Sequence, residues 1–150
     1  MEHQDRRTAE LAALEAHRRA AQNASGDPAT VFRLATFTNS MAQELLVESI
    51  EAYRKVKLEL ESRGDRSEAW ERASAMIIIN YLFLGNAAAA RAALESLLQE
   101  KPASASGFAA AAELYHREGR AADAVRALDE AAKLGGADHP LVAAIRNARA

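Results

Sequence analysis

Apolar side chains recur along almost the whole chain at intervals of three and four residues rather than two, a period that predicts helices and no strands. "RRTAELAALEAHRRAAQ", about residues 6 to 22, reads as a first helix whose apolar content is alanine plus Leu11 and Leu14, too little for firm docking. "NASGDP" then breaks the chain. Asp27 is placed as an N-cap with Pro28 at the first helical position, so a short helix should follow. Thr36, Thr38, Asn39 and Ser40 have low helix propensity, and Ser40 with Gln43 makes a capping-box pattern; a new helix or a kink is expected there. From Met41 to about Arg63 no glycine or proline intervenes, which allows roughly 35 Å of helix. Its apolar stripe is Ala42, Leu46, Ile50, Tyr53, Val56 and Leu60. Gly64 should end it, and Asp65 with Glu68 makes another capping box for a helix that carries Trp70 and runs to Leu84.

Within that helix lies "MIIINYLFL", where Asn80 is the one strongly polar side chain. Such a segment is apolar on nearly every side. Either its neighbours sandwich it or one face stays open to a partner, and Asn80 is either buried and hydrogen-bonded or part of a groove. The run is far shorter than the ~20 apolar residues that span a bilayer, so no membrane segment is expected.

Composition narrows the class further. At 150 residues the chain has the length of one ordinary domain. Aromatics are only 5% and alanine about a quarter, which implies helices packed closely through small side chains. A net charge of −2 argues against a dedicated nucleic-acid binder. Cysteine is absent, which excludes disulfides and thiolate chemistry and suits the cytoplasm. "MEHQDRRTAE" has no apolar h-region, so no signal peptide is expected.

The second half of the chain matches itself at an offset of 34 residues: Tyr81 falls on Tyr115, Gly85 on Gly119, Ala90 on Ala124 and Leu94 on Leu128. Here the sequence resembles the tetratricopeptide repeat, whose unit is a 34-residue helix-turn-helix. The first unit, about 71 to 104, supplies Ile77, Tyr81, Gly85, Ala90, Leu94 and the terminal Pro102. The second, about 105 to 138, supplies Phe108, Ala112, Tyr115, Gly119, Ala124, Leu128 and Ala131. Three positions depart from the family pattern: Ile78 replaces a small residue, Ser74 a large one and Gly136 a proline. "DHPLVAAIRNARA" reads as a terminal helix shielding the last hairpin, with Arg146, Asn147 and Arg149 on its polar outer face.

The resemblance implies an all-α fold of about seven helices in a single right-handed array. Its parts would be a weakly docked helix over 1–26, a helical extension over 28–70, two repeat-like units over 71–138 and a capping helix over 139–150. It also implies a groove lined by Arg72, Ala75, Ile79, Leu82 and Phe83, then Ser106, Ala109, Glu113, His116 and Arg117. One half is apolar and the other polar, which suits an amphipathic helix or an extended apolar segment whose polar end meets Glu113, His116 and Arg117. The chain's own N-terminal helices could equally fill the apolar half.

Nothing in the sequence advertises catalysis, a metal or a cofactor. The histidines at 3, 17, 116 and 139 show no ligand spacing, and Glu113 with His116 lacks the second pair that a di-iron bundle needs. Phosphate loops and nucleophile elbows are missing. Arg6, Arg7, Arg18 and Arg19 are diluted by Glu10 and Glu15, and the charges from Glu48 to Glu61 read as solvated helix pairs. The expected function is non-enzymatic protein binding, as an adaptor or chaperone-like module, with a partner's apolar helix buried against Ile79, Leu82 and Phe83. Size and helix layout are similar to the small tetratricopeptide chaperones of bacterial type III secretion. The alternative is a self-associating protein whose homodimer seam is Leu46, Ile50, Tyr53 and Leu60.

Overall fold

The computed structural model describes residues 2–23 and 27–149, with side chains from residue 4. The middle of the expected break, Ala24 to Gly26, and the His3 side chain lie outside the described residues. The fold is all-α: α1 (Glu2–Asn23), α2 (Pro28–Ser62), α3 (Glu68–Phe83), α4 (Ala87–Glu100), α5 (Ala105–Arg117), α6 (Ala121–Gly135) and α7 (Pro140–Arg149), with no strand among the described residues. Two compact units result, residues 1–45 and 46–150, and the division falls inside α2.

In the first unit, the Asp27 carboxylate accepts from the backbone N–H groups of Ala29 (3.3 Å) and Thr30 (3.1 Å), so α2 is capped as the sequence predicts. The Thr30 hydroxyl, followed by the Ala29 amide, holds that carboxyl below its usual range. No new helix begins at Thr36–Ser40. Thr38 instead donates its hydroxyl to the Leu34 carbonyl (2.8 Å) within a continuous helix. Each Thr, Asn or Ser costs only about 0.5 kcal/mol of propensity, whereas a break without Gly or Pro would strand several backbone groups. Met41 alone among the unit's described side chains is buried; His17 and Phe37 pack with ring centroids 4.9 Å apart and planes tilted by 42°, and Arg6 bridges Glu10 and Glu44.

In the second unit, three helix ends use the same backbone closure. At Gly64, Gly85 and Gly119, φ is 67°, 76° and 74°. Each glycine N–H bonds three residues back, and the next residue's N–H bonds five back, as in Asn86 to Tyr81 (2.9 Å) and Arg120 to Tyr115 (2.9 Å). These left-handed turns fold α3 onto α4 and α5 onto α6, and α5 packs on α3. The 34-residue offset persists in the helix ends: α3 ends at Phe83 and α5 at Arg117, while α4 starts at Ala87 and α6 at Ala121. Tyr81 and Tyr115 are both half-buried under a guanidinium, Arg54 at 5.7 Å and Arg120 at 4.3 Å from the ring centroid.

Small side chains set the spacing. Ala109 to Ala112 are buried along α5, against a core that includes Ile78, Ile79, Leu82, Leu94, Leu97 and Leu114. The residues that depart from the repeat pattern each have a local role. Ile78 is fully buried, Ser74 donates to the Trp70 carbonyl (2.9 Å), and Gly136, at φ 86°, closes α6. Gly107 matters for packing, since a Cβ there would stand 2.9 Å from Leu98 Cδ2.

The α2 stripe differs from expectation. Ile50 is buried and Leu46, Tyr53 and Leu60 are half-buried, but Val56 and Ala42 are exposed and Lys57 takes the inward position. Lys57 and Arg66 both lie over the Trp70 ring, and Trp70 Nε1 donates to Glu61 (3.0 Å). Several of the supposedly solvated charges thus serve the α2–α3 junction. The predicted Asp65–Glu68 capping box is also absent: Ser67 is the N-cap residue, and Asp65 accepts from its N–H (2.8 Å) instead. Two residues of turn separate Asp65 from the helix, too many for reciprocal capping. Asn80 is buried and donates to Ser49 Oγ (2.9 Å), which satisfies it within the chain. At the C-terminal end, Leu141, Val142 and Ile145 seat α7 on α5 and α6.

Candidate partner-binding surface

The matching last turns of α3 and α5 bring Phe83 and Arg117 together. Position 83 follows the buried Leu82 by one residue, a rotation of about 100°, which carries its ring out of the core. Phe83 is 55% exposed, and the Arg117 guanidinium lies 4.7 Å from its centroid. Arg117 also donates to Glu113 (3.0 Å) and to the Leu82 carbonyl (3.4 Å) at the C-terminal end of α3, where the helix dipole favours a cation. Glu113 is shared: its other oxygen accepts from Arg149 (3.3 Å), which also donates to the Ala112 carbonyl (3.1 Å). An Arg117–Glu113–Arg149 chain therefore joins α3, α5 and α7 beside an exposed aromatic ring.

The seven residues expected to bind a partner separate into three groups. Phe83, Glu113 and Arg117 come together, with His116 exposed on the same last turn of α5. Ile79 and Leu82 are 8% and 3% exposed, so the chain itself covers them and they cannot line an open groove. Close approach of the alanine-lined α5 is the physical reason. Arg72 sits near the opposite end of α3, paired with Glu68 (2.6 Å). Arg149 was expected on the outer face of α7 and is instead turned inward. Its spacing from Val142 and Ile145 continues the buried stripe, a signal present in the sequence.

Around the turn at Gly119 the surface is charged. Glu118 accepts from Arg91 and from Arg120, and the Arg91 hydrogen bond is the main reason its carboxyl lies below the usual range. Asp123, bonded by Arg120 and Arg126, is lowered likewise. Among the described residues no group of three His, Asp or Glu side chains could hold a metal ion, and no helix is long and apolar enough to cross a membrane. No family model, curated protein or solved structure matches the chain.

Proposed function

We propose that this chain is a non-enzymatic protein-binding module of the tetratricopeptide type, adaptor or chaperone-like, acting in the cytoplasm. The observation that carries the reading is Phe83, a large aromatic held half in solvent at the end of the first hairpin and braced by Arg117. An exposed aromatic beside a rigid charged network is the composition of an interaction hot spot. A partner's helical or extended apolar segment would cover Phe83, and its polar positions would meet Glu113, His116 and Arg117. Ile79 and Leu82 support this surface from beneath rather than touching the partner.

Affinity capture from the native cell tests the reading. Phe83→Glu should remove the captured partner while circular dichroism and thermal stability stay unchanged. Capture of the same partner by the variant would refute it. Exposure of Val47, Val56 and Leu58 on α2 favours a second reading, self-association, although not through the original seam, since Ile50 is buried in its own chain. A concentration-independent dimer in light scattering, lost in Leu58→Glu, would support that reading over the first.

A further inference from the structure

In the first unit, His17 lies beside Phe37 and Arg6 bonds Glu44, so α1 and the first half of α2 pair antiparallel. The side of α2 turned to α1 carries Thr30, Leu34, Phe37, Met41 and Glu44, all buried or half-buried. One residue further along the chain, each position is rotated by about 100°. There lie Val31, Ala35, Thr38, Ala42 and Leu45, all exposed and all uncharged. The same step on α1, from the half-buried Glu10, Leu14 and His17, gives Leu11, Glu15 and Arg18. Antiparallel helices turn in opposite senses when viewed from one end, so both steps lead to the same face of the pair. Leu11, Val31 and Leu45 share that face, with Phe32, 72% exposed, at its edge. These are all the large apolar side chains that the unit exposes. One step the other way, α2 presents Arg33, Thr36, Ser40 and Gln43, and α1 presents Arg6 and alanines.

One buried side chain, Met41, does little to hold two helices in water, where helical stability comes mainly from packing an apolar face. The α2 part of the open face is its own complement when reversed. Val31 and Leu45 stand at its ends, Ala35 and Ala42 inside them and Thr38 at the centre, with its hydroxyl already bonded to the Leu34 carbonyl. Laid antiparallel on a copy of itself about Thr38, the stripe sets Val31 on Leu45 and alanine on alanine, with no charge to bury. Glu15 follows at about the level of Thr38, two residues from His17. Each Glu15 would then stand between Arg19 of its own chain, bonded at 3.0 Å, and Arg18 of the second copy. Arg18 has no partner among the described residues.

We propose that a second copy of this chain covers this face, pairing antiparallel to complete a four-helix bundle. The near right angle between the α1-facing side of α2 and the open stripe is the corner such a bundle needs. With 22 residues in α1, the pair is about 33 Å long and about 20 Å wide. Each copy would cover about 650 Å², about 1,300 Å² in total, within the range of stable specific interfaces. The contact uses neither Phe83 nor Val47, Val56 and Leu58, so it stands whatever those surfaces bind.

Sedimentation equilibrium of the full chain should give a mass that rises from one chain to two with concentration, equally in Phe83→Glu and Leu58→Glu. Leu45→Glu should weaken association about tenfold or more, and adding Val31→Lys, which faces the new carboxylate across the axis, should recover part of the loss. The chain has no cysteine, so a second pair of variants reads the contact without a change of charge. Thr38→Cys brings two thiols to the axis and should cross-link to a dimer under mild oxidation, whereas Ser40→Cys, on the polar face, should not. A chain that stays monomeric at every concentration would leave the face to a different protein and overturn the proposal. So would a dimer lost in Leu58→Glu or Phe83→Glu, undiminished association of Leu45→Glu, or equal cross-linking of the two cysteine variants.

Discussion

Replacing Gly119 separates backbone strain from crowding, because its turn has φ 74° and a Cβ built there would meet nothing within 4 Å. Alanine at that position therefore costs only what an L-residue loses in the left-handed region, about 1–2 kcal/mol. Stiffening of the unfolded chain offsets about 0.4–1 kcal/mol. The net expectation for Gly119→Ala is a loss of about 1 kcal/mol. Asparagine tolerates the conformation better and should lose less; valine, branched at Cβ, should lose about 2–3 kcal/mol. Urea unfolding followed by circular dichroism and by fluorescence of Trp70, the chain's one tryptophan, gives these differences directly. The order Gly, Asn, Ala, Val with unchanged urea slope is the expected result. If alanine were neutral or stabilising, or asparagine worse than valine, the turn assignment and the equivalence of the two hairpins would both fall.

Three further outcomes follow from the packing. Leu82→Ala should lose about 2–5 kcal/mol in urea unfolding, while Phe83→Ala one residue on should lose far less, because only the first empties a core site. Ser49→Ala should destabilise by about 1–3 kcal/mol because it leaves the buried Asn80 amide unpaired, and adding Asn80→Leu should recover much of that loss. The Trp70 indole N–H, ahead of Lys57 and Arg66, lowers the Glu61 carboxyl. Its contribution to stability is thus complete above the ordinary carboxylate range and disappears as pH falls through the depressed value. Glu61→Gln should flatten that acid limb in Trp70-monitored unfolding; an unchanged limb would remove Glu61 as its source.

The helical class, the glycine turns and the 34-residue offset were legible because each rests on local rules: apolar period, left-handed φ at glycine and spacing along one chain. What escaped depended on neighbours. The continuity of α2 through Thr36–Ser40 depends on a cooperative ladder outweighing four weak propensities, and the sequence shows only the propensities. Whether Ile79 and Leu82 lie open or covered depends on how near α5 comes, which its alanines decide only once the hairpins are stacked. Lys57 looked like surface charge because the ring beneath it belongs to the next helix. His139, buried before α7 with its Nε2 3.4 Å from Ser106 Oγ of α5, meets a residue 33 positions away, so no window of sequence shows its burial.

The glycine closures have an architectural consequence. The two hydrogen bonds that close each bend are made by main-chain atoms alone. A further copy of the two-rod motif, spliced at the Pro102–Ala103 joint, would bring its own corner with it and need only match the greasy faces on either side. Lengthening the rod is thereby separated from redesigning its elbows, and the surface presented to the outside can grow in fixed increments.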